Sequence, residues 1–168
     1  YAGEFYTYYS DGRYDTDPTH HMQVSTTELS FARCNAYALS EIENAFAKTP
    51  ETTVTPTMSF TVPNRVQGFA RLSDGQFALS VSYGRNTDSW LYTYADVTKG
   101  DPAYYLTYPD RDVPVYSLCR TDITARLRLP PLLEGIDTKD GKVTGIFESG
   151  AEKYKDGKFI LNSICEFE

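Results

Sequence analysis

The sequence lacks the motifs by which many enzymes are recognised. It contains no G-x-S-x-G elbow, no phosphate-binding loop and no dinucleotide-binding fingerprint. Only two of the 168 residues are histidines, and they adjoin each other at His20 and His21. Because neighbouring side chains of an extended strand point to opposite faces, at most one of the two would join a given site. A Ser/His/Asp triad therefore has no support in the sequence.

Cysteines and long apolar runs are also scarce. The three cysteines, Cys34, Cys119 and Cys165, are far apart, which excludes a Cys-x-x-Cys metal or redox motif. One disulfide with a free thiol, and three buried thiols, are both consistent with this number. No apolar run approaches the roughly 18 residues that a membrane-spanning helix needs, so we expect no membrane span.

Positive charge is in deficit, with 16 Lys and Arg against 23 Asp and Glu and a net charge of −7. Because an acidic domain repels phosphate backbones, we expect no nucleic-acid partner. The chain opens at Tyr1 without a signal peptide, and its composition is rich in Tyr, Thr, Ser and Asp. We expect a secreted or extracellular protein from which a signal has been removed, or an internal piece of a longer product.

The residues that are present predict an all-β fold of short antiparallel strands. Fourteen Tyr and nine Phe favour pleated surfaces. Apolar and small or polar residues alternate over 57–62, 77–83 and 126–129, as in half-buried strands. Asp-Gly pairs at 11–12, 74–75, 140–141 and 156–157 predict tight hairpin turns. Only one short helix is predicted, near 41–48, after a capping box at residues 40–43.

An internal repeat is the most informative feature of the sequence. Residues 60–84 and 127–150 align with a one-residue gap, and they share the order strand, Pro, Gln/Glu-Gly, strand, Asp-Gly, strand, Gly. The alignment pairs Phe60 with Leu127, Pro63 with Pro130, Gly68 with Gly135 and Gly84 with Gly150. We therefore expect a single domain over 1–168, with repeat units at 56–95 and 125–168. The apolar faces of the two units predict core residues Phe69, Phe77, Leu79, Val81, Ile136, Val143, Ile146 and Phe147.

The second unit contains Glu134-Gly135-Ile136, Asp140-Gly141 and Phe147-Glu148-Ser149, and the first contains Val66-Gln67-Gly68-Phe69 and Ser82-Tyr83-Gly84-Arg85. This pattern resembles blades of secreted bacterial β-propellers, including the esterase-like phytase and gluconolactonase-type groups, over roughly residues 56–168. The resemblance implies a partial β-propeller of about three blades. A two-sheet β-sandwich, which closes without further strands, is the alternative.

The same resemblance implies that Gln67 and Glu134 lie near the mouth of a central channel. A carboxylate there would bind a divalent cation or a neighbouring blade, and Glu148 has the same two roles open to it. The metal candidates are Glu134 and His21, with Ca²⁺ or Zn²⁺ as the cation. In a polar loop, Arg85 would clamp a carboxylate or phosphate, or else pair with Asp88.

The sequence leaves three classes of function open as expectations. The first is a non-enzymatic extracytoplasmic binding or assembly module, which contacts a second polypeptide chain or a glycan. If the partner is a glycan, tyrosines such as Tyr105 would stack on its sugar rings. The other classes are a metal-dependent hydrolase of the lactonase or phytase-like kind and a structural subunit of a surface assembly. About three blades cannot close a ring, so we expect a separate subunit, or the other half of a cleaved precursor, to cover the open ends.

Overall fold

The computed structural model describes residues 1–4, 13, 32–49, 51–156 and 160–167. These residues form mostly β structure, which confirms the predicted all-β class. One α-helix is described, α1 (Leu39–Lys48). The described strands are β1 (Ala2–Gly3), β2 (Ala32–Ala36), β3 (Met58–Val62), β4 (Val66–Arg71), β5 (Phe77–Val81), β6 (Ser89–Tyr94), β7 (Tyr104–Thr107), β8 (Asp112–Ser117), β9 (Ile123–Leu129), β10 (Leu133–Lys139), β11 (Lys142–Phe147) and β12 (Cys165–Phe167). Short 3₁₀ helices occur at Val97–Lys99, Arg120–Asp122, Glu148–Gly150 and Glu152–Tyr154.

The described strands form three sheets. Sheet I has the strand order β1-β2-β3-β8-β7, sheet II has the order β4-β5-β6-β9, and sheet III has the order β10-β11-β12. Every described pairing is antiparallel except that of β3 with β8, which is parallel. None of these sheets closes on itself within the described residues, and the sandwich alternative would require two sheets instead of three.

The strand that precedes each of the hairpins β4–β5 and β10–β11 belongs to the preceding sheet. The strand β9 is the fourth strand of sheet II, where it pairs with β6. The chain then continues into β10, which begins sheet III. In the same way β3 pairs with β2 in sheet I before the chain enters β4 and sheet II. Successive sheets are therefore linked through the strand that precedes each hairpin.

Helix α1 differs from its prediction at the amino-terminal end. It begins at Leu39, so Ser40 lies inside its first turn and cannot cap it. The N-cap residue is Ala38, which has no side-chain hydrogen bond to offer, so the predicted capping box is wrong. Ala45 is the buried residue of the helix, and Phe46 is 77% exposed. No helix in the described part of the chain is long and apolar enough to cross a membrane.

Sheet II lies between the other two sheets, with an apolar core on each side. The core toward sheet I contains Ala32, Cys34, Phe60, Val62, Phe77, Leu79, Val81, Tyr92, Tyr94 and Leu118. The core toward sheet III contains Ala78, Leu91, Leu133, Val143 and Phe147. Strand β5 is consequently buried along its whole length, because its alternate side chains face two different sheets.

The predicted core is confirmed at five positions and wrong at one. Phe77, Leu79, Val81, Val143 and Phe147 are buried, while Phe69 and Ile136 are partly buried and pack against the cores. Ile146, however, is 55% exposed. It adjoins Phe147 on β11, and consecutive strand residues face opposite sides of a sheet. Phe147 faces sheet II, so Ile146 points away from it.

The hairpins β4–β5 and β10–β11 contain the same irregularity. The pairing shifts between Val66 and Gly68 in the first hairpin and between Leu133 and Gly135 in the second. A shift of this kind is a β-bulge, which leaves one residue outside the ladder. That residue is Gln67 in β4 and Glu134 in β10.

The backbone before each bulge is also alike. Arg65 has φ 69° and Leu132 has φ 71°, both in the left-handed region that non-glycine residues seldom adopt. The Arg65 carbonyl accepts a hydrogen bond from the Ser82 amide at 3.1 Å, and the Leu132 carbonyl accepts one from the Glu148 amide at 2.8 Å. Each bond joins the entry of a hairpin to its exit.

Two of the predicted Asp-Gly turns join described strands. Asp140 and Gly141, between β10 and β11, have φ 52° and 79°, as a two-residue type I′ turn requires. Gly75, between β4 and β5, has φ 92°. The other two pairs lie wholly or partly outside the described residues.

None of the three cysteines forms a disulfide bond. Cys34 and Cys119 are buried, and Cys165 is partly buried. Burial in the core between sheets I and II raises the pKa of the Cys34 thiol to about 12, so this group stays protonated at physiological pH. Cys34 and Cys119 therefore behave as small apolar residues.

Candidate binding surface

The predicted site residues Glu134 and Glu148 lie close enough to interact at the exit of the β10–β11 hairpin. Glu148 begins a 3₁₀ helix directly after β11. Its carboxylate forms an ion pair with Lys153 and accepts a hydrogen bond from the Tyr154 hydroxyl at 3.2 Å. Local partners thus occupy the Glu148 carboxylate, and neither of them belongs to a neighbouring sheet, so both predicted roles of Glu148 stay predictions.

Burial raises the pKa of the Glu134 carboxyl, and the negative charge of Glu148 raises it further, while Lys153 acts in the opposite direction. The Glu134 backbone carbonyl accepts a hydrogen bond from Ser80 of sheet II at 3.1 Å. This contact is between sheets, as the predicted bonding of Glu134 to a neighbouring blade requires, but it is made by the backbone.

Replacing Glu134 with Gln, the residue at the equivalent position 67, is expected to stabilise the protein at neutral pH. A carboxyl whose pKa is raised on folding favours the native state when protonated, and this contribution is lost as the pH rises through the raised pKa. The neutral amide has no such loss. Midpoints of urea unfolding should be higher for Glu134→Gln than for wild type at about pH 7 and should converge below about pH 4. The exposed Glu43 on α1 provides the matched control, and an equal gain in Glu43→Gln would contradict the assignment.

Gln67, the other bulged residue, is exposed. It lines a small cavity of about 150 Å³ together with Tyr1, Cys34 and Phe69. The Tyr1 and Phe69 rings lie in contact, with centroids 4.7 Å apart. Gln67 and Glu134 therefore occupy equivalent places in their own hairpins but different surroundings, because sheet I packs beside the first hairpin.

The predicted pairing of Arg85 with Asp88 is not the pairing that the structure has. Asp88 forms an ion pair with Arg128, which lies on β9 and 40 residues further along the chain. Arg85 is exposed in the loop between β5 and β6. A role for Arg85 in binding an anion remains a prediction.

The predicted metal ligands cannot be brought together on the described residues, because His21 lies outside them. Within the described ranges no group of three His, Cys, Asp or Glu side chains is arranged to hold a metal ion. A Ca²⁺ or Zn²⁺ site that includes Glu134 therefore stays a prediction.

The strongest surface feature is the difference between two equivalent glycines. A Cβ placed on Gly68 would lie 2.7 Å from the Ile136 amide nitrogen and 2.9 Å from the Ser80 Oγ. Sheet III thus packs against sheet II at Gly68 more closely than any side chain would allow. A Cβ on Gly135 would meet nothing within 4 Å among the described residues. No described residue covers the face of sheet III that corresponds to this contact.

The surface around Gly135 combines exposed apolar side chains with the exposed Asp137. Ile146 is 55% exposed and Ile164 is 69% exposed, and both line a shallow groove of about 270 Å³ that also includes Gly135 and Thr144. The equivalent of Ile146 in the first hairpin is Ser80, which is fully buried against sheet III. We call this surface, formed by Gly135, Thr144, Ile146 and Ile164, the open face.

Sequence reasoning missed the open face because it assigned Ile146 to the core. One signal was available, since Ile146 and Phe147 adjoin on one strand and cannot both face the same sheet.

Comparisons of the chain with protein-family models, with curated proteins and with solved structures found no significant match. The function of the chain is therefore inferred from the geometry of its described residues.

Proposed function

We propose that this chain is an exported, non-enzymatic binding and assembly module of β-propeller type, and that its partner is another polypeptide. The partner packs on the open face of sheet III. The contrast between Gly68, which another sheet covers, and Gly135, which no described residue covers, is the observation that supports this. Export rests on the composition, which is rich in Tyr, Thr and Ser.

The arrangement of the sheets supports a partial propeller of about three blades. Three sheets are stacked, and the strand that precedes each hairpin belongs to the preceding sheet: β9 is the last strand of sheet II, and β3 is the middle strand of sheet I. The two hairpins share a bulge, a left-handed residue before it and a closing hydrogen bond. These features support one repeated unit, since independent hairpins would have no reason to share all of them.

The chemistry of the covered face indicates what the partner presents. At Gly68 the neighbour is the backbone and side chain of Ile136 on strand β10. A glycine has no side chain to keep another strand at a distance, so a strand is able to approach Gly135 as closely as β10 approaches Gly68. Ile146 and Ile164 add apolar surface that is favourable to bury. We therefore assign the open face to a second β-sheet and not to a small ligand.

Self-association of the isolated chain is the first test, because a second copy presents a like sheet. We expect light scattering across a concentration series to give species larger than the 19.0 kDa monomer. The contact should bury roughly 1,000 Å² or more in total. Ile146→Asp should restore a monomer, because a charge would be buried in an apolar contact.

The matched control places the same charge on an apolar residue elsewhere. Phe46 of α1 is 77% exposed and lies outside the open face, so Phe46→Asp should leave the mass distribution unchanged. A wild-type chain that stays monomeric at every concentration, and unfolds cooperatively, would contradict the proposal. Equal effects of both substitutions would show that the open face is not the contact.

A further inference from the structure

Among the described strands, none pairs with the outer edge of β12 in sheet III. Sheet II has four strands, and its fourth, β9, comes from the following repeat unit. Sheet III has three, and no described strand pairs with the outer side of β12. The outer edge of a sheet presents backbone N–H and C=O groups that are able to pair with another extended chain.

An apolar groove lies beside this edge, between sheets II and III. Its volume is about 570 Å³. Leu91 and Leu127 line it from sheet II, and Val143 and Phe167 line it from sheet III. Leu127 is 43% exposed although it belongs to the face that points toward the core. A volume of this size exceeds that of any single side chain, so the groove accepts more than one residue.

The corresponding place between sheets I and II is filled. The repeat aligns Leu127 with Phe60 and Val143 with Phe77. Phe60 and Phe77 are fully buried, with ring centroids 4.9 Å apart. Where the first interface has two aromatic rings, the second has two smaller aliphatic side chains, and the groove lies where these smaller residues meet.

Strand β9, the fourth strand of sheet II, shows which residues suit a fourth strand at the edge of a sheet. On β9, Ala125 and Leu127 face the groove, while Arg128 lies on the other face and pairs with Asp88. On β12, Phe167 packs toward sheet II and Glu166 is exposed, where it pairs with Lys142 at 2.6 Å. A strand added to β12 would therefore place apolar residues over the groove and a basic residue beside Glu166.

We propose that the outer edge of β12 and the adjoining groove bind an extended segment of another polypeptide, one that alternates apolar and basic residues as β9 does. The segment pairs with the β12 backbone, inserts its apolar side chains between Leu127 and Val143, and places a basic side chain beside Glu166. This inference rests on the proposed function, because it specifies a second way in which a partner chain engages sheet III.

A synthetic peptide provides the probe. The acetylated and amidated peptide ITARLRL, the sequence of residues 123–129, should bind the full chain in a fluorescence-anisotropy titration. A version with Asp in place of the first Leu, the residue that corresponds to Leu127, should bind about tenfold more weakly, since the groove then receives a charge in place of an apolar side chain. Hydrogen exchange should show new protection of the amides at 165–167 in the presence of the ITARLRL peptide.

Two kinds of variant separate the groove from the charge. The double variant Leu127→Phe with Val143→Phe places rings where the first interface has them, and should weaken binding of the ITARLRL peptide about tenfold by filling the groove. Glu166→Lys leaves the core untouched. It should weaken binding of ITARLRL and strengthen binding of a version with Glu at both Arg positions. Glu152→Lys, an exposed charge reversal elsewhere, is the matched control and should change neither affinity.

The outcomes distinguish this inference from the proposed function. Exchange protection confined to β6 would overturn the inference, because the peptide would then have replaced β9 instead of extending β12. Undiminished binding to both the double variant and Glu166→Lys would also overturn it. Self-association that is lost in Ile146→Asp while the peptide still binds β12 supports both proposals. Self-association without peptide binding leaves the proposed function standing alone, and peptide binding by a chain that never self-associates contradicts the proposed function instead.

Discussion

Replacing Phe77 with Ala is expected to lower the free energy of unfolding by about 3–5 kcal/mol, as truncation of a buried aromatic residue does. Phe77 is fully buried at the centre of the core between sheets I and II. Its ring lies 4.9 Å from that of Phe60 and 5.6 Å from that of Phe69. The Arg71 guanidinium lies over the same ring, 5.3 Å from its centroid. Truncation removes these contacts and leaves a cavity among residues of two sheets.

Chemical denaturation at equilibrium measures this loss, provided that the slope of the transition is unchanged. The control is Phe46→Ala, which removes the same atoms from a side chain that is 77% exposed and should change stability by less than about 0.5 kcal/mol. A loss below about 1 kcal/mol in Phe77→Ala would mean that sheets I and II do not pack through this residue.

The sequence predicted the strands well because their signals are local. Alternation over 77–83 predicted β5, and alternation over 57–62 predicted β3. The pair Asp140-Gly141 predicted a turn whose two φ angles are positive. Each of these signals depends on residues within about seven positions of each other, so a single sequence contains all that is needed.

The burial of β5 could not be predicted from its own pattern. Alternation indicates one buried and one exposed face, yet Ala78 and Ser80 are as buried as Phe77. The second face is covered by β10, more than 50 residues away, through contacts such as the bond from Ser80 to the Glu134 carbonyl. Small residues on that face are compatible both with solvent and with a closely packed sheet, so the pattern alone does not separate the two.

The candidate site was predicted in part. Gln67 and Glu134 were predicted to be equivalent, and both are the bulged residues of their hairpins. The prediction that Asp88 pairs with Arg85 was wrong. Its partner is Arg128, which approaches Asp88 only because β6 pairs with β9. The open face and the groove beside β12 depend on which sheet lies next to which, and sequence periodicity does not contain that information.

Substituting Ala for Gly68 and for Gly135 is expected to give opposite results, although both glycines follow the bulge of their hairpins. In Gly68→Ala the new Cβ would lie 2.7 Å from the Ile136 amide nitrogen and 2.8 Å from the Ile136 Cγ1. A backbone atom cannot move aside without shifting β10, so the overpacking should cost about 1–3 kcal/mol. The same change at Gly135 meets nothing within 4 Å in the described part of the chain.

Neither Gly68 nor Gly135 has a positive φ, so alanine adopts their backbone conformations without strain. Gly135→Ala should therefore be neutral, or stabilising by up to about 1 kcal/mol because alanine has less conformational freedom in the unfolded chain. Urea unfolding of both variants, at a dilution where the wild type is monomeric, measures the difference directly. Equal losses would show that sheet III does not pack on sheet II at Gly68. Equal gains would show the same, and either result would remove the contrast on which the assignment of the open face rests. If the contrast holds in the monomer, Gly135→Ala should weaken self-association at higher concentration. The partner sheet would then meet the Cβ of the new alanine, whereas sheet III meets no side chain at Gly68.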